Sequence, residues 1–371
     1  METPSVVRTP LSAVSGRLGI LRSSRIGTPY RTPNIRRFGP LGTSWRTPVS
    51  RHAYSGSLHA STRTSTPLHP RASLSMVTSR TEIEENNIKQ LIGKQWHMFR
   101  LTPLFNFKSK KSDLSMYSKT LSSHIAAETK KGLFVDITEP GDATVNLFSG
   151  LDTGVDDPKA VLIEVKGKAR NKTEEKVVCQ AVLFSTDLEF KPLRPEELDN
   201  FTYYSSMLIH GPVAVSDTVQ NWLEVQFDCR VIKQTFTAQQ LGFMAAMFTG
   251  LEEEHKPVEL VYKVPTEVEG LSEINYSTNA TDCLRLWKQI RLPYEDRFTD
   301  EEAEMFISGL ESHFYEIFNI KLSAMPLHHV SMAVISAGHD GKFKLTTKSI
   351  DNVLKVLRHL TDLALDNLKI A

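Results

Sequence analysis

Three stretches near the C-terminus specify the fold most clearly: LHHVSMAVIS (327–336), GHDG (338–341) and KFKLTT (342–347). The first and third stretches contain the β-branched, aromatic and aliphatic residues that favour strands. An Asp-Gly dipeptide between two such runs is a strong signal for a β-hairpin turn. The segment therefore predicts two antiparallel strands, 327–336 and 342–347, joined by a tight turn.

The first of these strands is apolar at both alternating positions. Val330, Met332 and Val334 share one parity, and Ala333 and Ile335 share the other. Successive side chains of a strand point to opposite faces of its sheet. We therefore expect this strand to be covered on both faces, either by its own chain or by a partner chain.

Outward from this hairpin, helical and strand-like patterns interleave. Helical spacing predicts helices over 113–130, 217–228, 237–251, 280–290, 299–317 and 350–368, and capping boxes at Thr237 and Thr299 mark the start of two of them. Strand patterns predict strands at 133–138, 144–149, 160–166, 176–184, 258–264 and 271–277. In the helix that starts at Thr299, we expect His313 to be half-buried beside Phe314. Because the order lacks strict βαβ alternation, the fold class is α+β with a mixed, mainly antiparallel sheet and packed helices.

Charge divides the chain into two parts, although the formal net charge of all 371 residues is only +1. Residues 1–81 hold twelve Arg, no Lys and one acidic residue, a charge of +11, and residues 82–371 hold 32 basic and 42 acidic residues, a charge of −10. The first part lacks apolar periodicity and is rich in Ser, Thr and Pro, so it is predicted to be a disordered basic arm. The second part is predicted to be the folded body.

Thr-Pro dipeptides recur six times in the arm. Proline favours an extended backbone at the residue before it, which suits a proline-directed kinase. Candidate phosphorylation sites are Thr9, Thr28, Thr32, Thr47 and Thr66. Two alternatives stay open, a solvated tail without a role and a mitochondrial transit peptide, although eight prolines in the arm oppose the helix that import requires.

The acidic body contains two short basic segments. A predicted hairpin tip at 166–176 carries Lys166, Lys168, Arg170 and Lys172, and a second segment carries Lys108, Lys110 and Lys111. These residues are candidate contacts to a DNA backbone, with a solvated surface as the alternative.

The sequence gives no positive sign of an enzyme. It contains no P-loop, dinucleotide-binding, hydrolase-elbow or zinc-protease motif. Its three cysteines are far apart and form no C-x-x-C pair, which argues against a disulfide scaffold or a zinc finger. No apolar run approaches the length of about 20 residues that a membrane-spanning helix needs. We expect no cofactor and no metal.

Several short motifs resemble a known family when they are taken in order. They are KQW (94–96), LTPLF (101–105), KGL (131–133), MAAM (244–247), SHF (312–314), LSA (322–324) and DGK (340–342). This order resembles the vertebrate centromere protein L family over roughly residues 94–365. The basic arm lies outside the similar region.

The resemblance implies a non-enzymatic structural subunit of the inner kinetochore, located at the centromere in the nucleus. Family members pair with centromere protein N, connect to centromere protein C and other inner-kinetochore subunits, and help to recognise centromeric nucleosomes and their DNA. Pairing is implied to use sheet from the C-terminal part, about 299–371. The candidate interface residues are Val330, Met332, Ala333, Val334, Ile335, Phe343 and Leu345.

Two other classes of protein remain as alternatives. One is a general nucleic-acid-binding nuclear protein that acts through its basic arm. The other is a mitochondrial enzyme with a cleaved presequence.

Overall fold

The computed structural model describes residues 81–130, 137–151, 157–169, 175–186, 200–251, 256–291 and 298–369. The predicted boundary between the arm and the body, at 81/82, therefore stays a prediction. No helix among these residues is long and apolar enough to cross a membrane.

Seven α-helices lie in the described part of the chain. They are α1 (Glu82–Lys89), α2 (Lys111–Lys130), α3 (Val213–Phe227), α4 (Ala238–Thr249), α5 (Ala280–Ile290), α6 (Asp300–Phe318) and α7 (Ile350–Lys369). Capping boxes at Thr81, Thr237 and Thr299 start α1, α4 and α6, because each threonine side chain accepts a hydrogen bond from the backbone three residues later. The two capping boxes predicted at Thr237 and Thr299 are thereby confirmed.

Thirteen strands lie in the same described residues. They are β1 (Gln95–Leu101), β2 (Leu104–Phe105), β3 (Ile137–Leu147), β4 (Val161–Ala169), β5 (Glu175–Phe184), β6 (Phe201–Thr202), β7 (Ser206–His210), β8 (Val231–Lys233), β9 (Val258–Lys263), β10 (Glu273–Thr278), β11 (Leu327–Ser331), β12 (Ile335–Gly338) and β13 (Lys342–Leu345).

Eleven strands form one sheet, in the order β10-β9-β11-β12-β13-β1-β7-β5-β4-β3, with β8 also paired to β1. Every named strand pair is antiparallel. The remaining two strands, β2 and β6, pair with each other. The predicted α+β class with a mainly antiparallel sheet is confirmed.

Two hydrophobic cores lie on the sheet. In β1, Trp96 and Met98 belong to the first core, which contains residues of α1, α4, α5, α6 and α7. Phe99 and Leu101 of the same strand belong to the second core, which contains residues of α2 and α3. Helices therefore cover the middle strands on both faces, because neighbouring residues of one strand point in opposite directions.

The prediction of one strand over 327–336 is wrong. The chain turns between β11 and β12, where the Met332 backbone N–H donates to the Ile335 carbonyl at 2.9 Å and Val330 lies opposite Ala337. The Thr346 hydroxyl holds this turn by donating to the Ala333 carbonyl at 2.8 Å.

This turn also explains why the segment is apolar at both parities. Val330, Met332, Val334 and Ile335 all enter the first core. One straight strand would point Ile335 to the face opposite the other three. The chain's own core thus accounts for the pattern, and the predicted strand with two apolar faces does not exist.

The Asp340-Gly341 turn is confirmed, since β12 and β13 pair across it. Gly341 has a φ of +79°, and a Cβ at this position would collide with the backbone carbonyl of Gln234. Its own carbonyl accepts a hydrogen bond from the Met98 N–H at 3.0 Å, which fixes the hairpin against β1. Position 341 requires a glycine, because it needs both a positive φ and the absence of a Cβ.

Candidate partner-binding edge of the sheet

Strand β10 is the last strand at the end of the sheet that contains β11, β12 and β13, which we call the C-terminal end of the sheet. Its six residues pair in continuous register with β9, from Glu273 opposite Lys263 to Thr278 opposite Val258. On its other side, no strand of the described residues pairs with it. The outward backbone N–H and C=O groups of β10 are therefore available to another strand.

The sequence of β10, EINYST, has few of the features that protect a free edge. It contains no lysine and no proline, and its register shows no bulge. Only Tyr276 is buried, while Glu273, Asn275 and Ser277 are exposed. The strand is thus held by one neighbour and one buried anchor, and its edge stays open.

An apolar surface lies next to this edge, at the end of α6. The Tyr276 ring packs against Phe314 with centroids 5.0 Å apart, and Phe314 packs against Phe318 at 4.6 Å. Beyond Phe314 the side chains are exposed, by 42 % at Tyr315, 58 % at Ile317, 56 % at Phe318 and 43 % at Ile320. We call these four residues the apolar step.

Backbone geometry positions the step. Helix α6 ends at Asn319, which adopts the left-handed conformation with a φ of 55°. Asn is one of the few residues that tolerate this conformation. The chain therefore leaves the helix direction before Ile320, and the step is joined to β10 through the ring contacts from Phe318 to Phe314 to Tyr276.

The seven predicted interface residues lie elsewhere. Six of them, Val330, Met332, Val334, Ile335, Phe343 and Leu345, are buried in the first core, and Ala333 is half-buried. Their side chains contact this chain's own residues. That these residues pair with a partner stays a prediction, and the strand with two apolar faces no longer supports it.

The predicted basic contacts fall into two groups. Lys108, Lys110 and Lys111 are exposed at the start of α2, where the Lys108 N–H donates to the Tyr117 hydroxyl at 3.2 Å. Lys166 and Lys168 lie within the β4–β5 ladder rather than at its tip. Arg170 and Lys172 lie outside the described residues, as do the five candidate phosphorylation sites of the arm.

The cysteines offer no reactive thiol. All three are buried and free. Burial raises the pKa of the Cys179 thiol to about 12 and that of Cys283 to about 12. Cys229 donates to the Leu223 carbonyl, and burial raises its pKa to about 11. Thiolate formation is therefore disfavoured at neutral pH.

The two adjacent histidines of β11 have different neighbours. The His328 ring lies 5.8 Å from that of His339, whereas His329 Nε2 lies 3.1 Å from the Ser336 hydroxyl. Across the described ranges, no three His, Cys, Asp or Glu side chains are arranged to hold a metal ion.

Sequence reasoning missed the open edge and the apolar step. An edge is a property of strand order, which no local pattern reports. The step did leave a signal, because Tyr315, Ile317, Phe318 and Ile320 are too many apolar residues for the single buried stripe of α6.

Strand order and the open edge together indicate the kind of protein this is. The described chain is an α+β protein built on one large antiparallel sheet, with an open strand edge suited to extension by another chain.

Comparison with known proteins identifies the family. The sequence profile of centromere protein L matches residues 90–365. Centromere protein L of Xenopus tropicalis is 32 % identical over 321 residues, 84 % of this chain and 90 % of the relative. The Homo sapiens protein is 32 % identical over 292 residues, 76 % and 82 % of the two chains, and the Danio rerio protein 29 % over 362 residues, 93 % and 94 %.

The chain belongs to the centromere protein L family. It is a centromere and kinetochore protein of the nucleus.

Proposed function

We propose that this chain is a non-enzymatic structural subunit of the inner kinetochore that pairs with centromere protein N. Together, the two chains help to link centromeric nucleosomes, centromere protein C and other inner-kinetochore subunits. The observation that carries the proposal is the open edge of β10 beside the apolar step. Family membership supplies the identity of the partner.

Strand addition is the mode of pairing that this edge fits. A partner strand along β10 satisfies backbone groups that water otherwise solvates, and it extends the sheet without rearranging the core. Backbone hydrogen bonds alone discriminate little between partners. The apolar step supplies the specific part, because apolar and aromatic side chains buried at the centre of an interface dominate binding free energy.

The seven residues predicted from the sequence have a supporting role in this proposal. Strands β11, β12 and β13 lie in the same sheet as β10, separated from it by β9. Their buried side chains set the shape of the sheet whose edge meets the partner. The apolar step at 315–320 lies within the predicted pairing region of 299–371.

Charges introduced into the step test the pairing. Ile317→Asp with Ile320→Asp removes two exposed apolar side chains and is expected to weaken binding of centromere protein N at least about tenfold. Titration calorimetry with the purified chains measures the affinity. The control is Val225→Asp, which changes a side chain 77 % exposed on α3, a helix whose buried residues lie in the second core rather than in the core beneath β10. Unchanged affinity of the step variant contradicts the proposed interface.

Phe343→Asp tests whether the hairpin residues belong to the core of this chain or to the interface with centromere protein N. Phe343 is buried, so a charge there is expected to lower the melting temperature strongly, and pairing is expected to fail through unfolding. A variant that keeps its melting temperature but no longer binds centromere protein N assigns the hairpin itself to the interface.

We further propose that the body contacts DNA through Lys108, Lys110, Lys111, Lys166, Lys168, Arg170 and Lys172. Their support is a concentration of cations on a body of charge −10. Changing Lys108, Lys110 and Lys111 to Gln is expected to reduce the salt slope of DNA binding by about 0.9 for each phosphate that is no longer neutralised. Lys119→Gln, on an exposed position of α2, is the control. An unchanged slope assigns the three lysines to solvated surface.

The arm is proposed to be an electrostatic element that phosphorylation tunes. Five phosphates at Thr9, Thr28, Thr32, Thr47 and Thr66 add about −7.5 to −10, against an arm charge of +11. Kinase treatment is therefore expected to weaken DNA binding by the full chain. The five Thr→Ala changes are expected to abolish that response. Equal DNA affinity before and after verified phosphorylation contradicts the proposal.

A further inference from the structure

A groove of about 550 Å³ runs between α4 and α6. Its lining includes four residues that are apolar and buried or half-buried, Gly242, Phe243, Ala303 and Ile307, which we call the floor. Phe243 and Ile307 are only half-buried, so apolar surface is open to solvent along the groove. The other two floor residues are glycine and alanine, which leave space above the helix contact.

Gly242 contributes to this shape. A Cβ at position 242 would lie 3.2 Å from Ile307 Cγ1, closer than ordinary van der Waals contact. The glycine therefore allows α4 and α6 to approach each other, while Phe243 and Ile307 line the space above them. A concave apolar channel between two helices is the shape that receives an amphipathic helix.

The rim determines the charge of the occupant. Asp300, Glu304 and Glu311 line the groove, and its lining contains no Lys, Arg or His. The three carboxylates recur on one side of α6 over about 16 Å, the length of three helical turns. Tyr262 donates to Glu311 at 2.9 Å, and burial raises the pKa of that carboxyl group.

Intrahelical electrostatics do not account for this row. Asp300 and Glu304 are four residues apart, a spacing at which like charges repel. Asp300 lies in the first turn, where the helix dipole favours a negative charge, but Glu304 and Glu311 lie beyond it. A partner's cations relieve the repulsion, whereas a nucleic acid or an acidic peptide increases it.

We propose that the α4–α6 groove binds an amphipathic helix of another protein, with an apolar face in the channel and Lys or Arg side chains paired to Asp300, Glu304 and Glu311. The groove lining shares no residue with β10 or the apolar step, so the proposal does not rest on pairing with centromere protein N.

The test uses the full chain and a fluorescein-labelled helical peptide of Leu and Lys, about 14 residues long, followed by fluorescence anisotropy at physiological ionic strength. Glu304→Lys reverses a charge that lines the groove and is expected to weaken binding about fivefold or more. The matched control, Glu301→Lys, makes the same charge change at an exposed residue of α6 outside the groove lining. It is expected to weaken binding less than Glu304→Lys does, because its side chain is outside the groove lining and its charge acts on the peptide from a greater distance.

Two further measurements test the shape and the apolar part of the groove without changing any charge. Ser308→Trp places a large side chain on the rim and is expected to abolish binding while the melting temperature is kept, since Ser308 is exposed. A peptide in which Gln replaces Leu keeps every Lys and is expected not to bind, because it has no apolar face.

Four outcomes overturn the proposal. They are equal weakening by Glu301→Lys and Glu304→Lys, equal binding of the Leu/Lys and Gln/Lys peptides, absence of peptide binding up to about 100 µM, and unchanged binding by Ser308→Trp. Concentration-dependent dimerisation that Ser308→Trp removes assigns the groove to a second copy of this chain and overturns it as well.

Discussion

The middle and the C-terminal end of the sheet are built differently. In the middle, β1, β5 and β7 place alternate side chains into two cores, so helices cover them on both faces. At the end, β9 and β10 contribute only to the first core, through residues such as Leu260 and Tyr276. The middle is closed by the chain itself, whereas the end has one covered face and one open edge.

This contrast indicates where the chain can bind partners. Strands covered on both faces have both neighbours and both faces satisfied within the chain. A strand with one neighbour and one covered face keeps hydrogen-bonding groups and apolar area for another molecule. Both proposed surfaces lie at the C-terminal end of the sheet. The apolar step adjoins β10, and the α4–α6 groove lies in the helix layer that covers that end.

The largest difference in unfolding free energy is expected between a Phe→Ala substitution in the middle of the sheet and one in the apolar step. Phe184 of β5 is fully buried, whereas Phe318 of the apolar step is 56 % exposed. Phe184→Ala is expected to lower the free energy of unfolding by about 3–5 kcal/mol, because it leaves a cavity in a closed core. Phe318→Ala is expected to cost less than about 1 kcal/mol. Urea unfolding monitored by circular dichroism compares them, and equal losses would contradict the distinction between the two regions.

The second prediction concerns how α6 is anchored over the open end. Arg291 Nη1 donates to both oxygens of Glu302, at 3.1 and 2.8 Å, and Glu302 is 1 % exposed. Glu302→Gln removes the negative charge that faces the Arg291 guanidinium in a mostly buried site. We expect a loss of about 3 kcal/mol in the free energy of unfolding.

An exposed ion pair provides the control for this substitution. Arg285 and Asp282 of α5 lie 3.2 Å apart, with side chains 69 % and 60 % exposed. Asp282→Asn is expected to cost less than about 1 kcal/mol, because water solvates both charges already. If the two substitutions cost the same, the helix layer is not held by its buried ion pair.

The third prediction uses a half-buried histidine in the same helix layer, whose Nε2 atom is shielded from solvent. His359 of α7 stacks on Phe243 of α4 with centroids 5.5 Å apart and contacts Phe248 at 5.7 Å. Burial lowers the pKa of His359 to about 4, partly opposed by the Asp366 carboxylate. The pKa of a histidine in the unfolded chain is about 6.5, so between that pH and about pH 4 the unfolded chain binds a proton that the folded chain does not.

The sign follows from proton linkage. Above about pH 6.5 both states are neutral at His359, so the group has no effect; as pH falls from there towards about 4, stability is lost. At pH 5 the loss is about 2 kcal/mol. His359→Phe keeps the aromatic stack and removes the titration, so it is expected to reduce the difference in unfolding free energy between pH 7 and pH 5 by that amount. An unchanged difference refutes this assignment.

The regular elements of this fold were readable from the sequence where a local signal specified them. The capping boxes at Thr237 and Thr299 and the Asp340-Gly341 turn are local chemistry, and all three were predicted. Strands β1 and β7 were not predicted. Their residues are apolar on both faces, as Trp96 and Phe99 in β1 illustrate, and such strands lack the alternation that identifies a half-covered strand.

Long-range contacts explain the remaining errors. The turn between β11 and β12 contains no glycine or proline and depends on the hydroxyl of Thr346, thirteen residues from Ala333. His313, expected to be half-buried, is exposed, because the buried stripe of α6 passes through Leu310 and Phe314 and excludes the position between them. The open edge required the complete strand order.

The weakest effect is expected at the helix cap that starts α4. The Thr237 hydroxyl accepts a hydrogen bond from the Gln240 N–H at 3.1 Å, and the Gln240 side chain accepts one from the Thr237 N–H at 3.0 Å. Thr237→Ala leaves the Gln240 N–H to water at an exposed helix end, and we expect it to cost about 1 kcal/mol. Thr237→Ser keeps the acceptor and is expected to cost less.

The location of this destabilisation also bears on the contrast between the two regions. The first turn of α4 carries Ala238 and Gln239, which line the α4–α6 groove, and the core residues Leu241 and Met244 follow after it. If the open end is held only by the helix layer above it, Thr237→Ala is expected to accelerate hydrogen exchange at the amides of 238–241 without accelerating exchange in β5 or β7. Faster exchange in those strands as well would show that the two regions unfold as one unit.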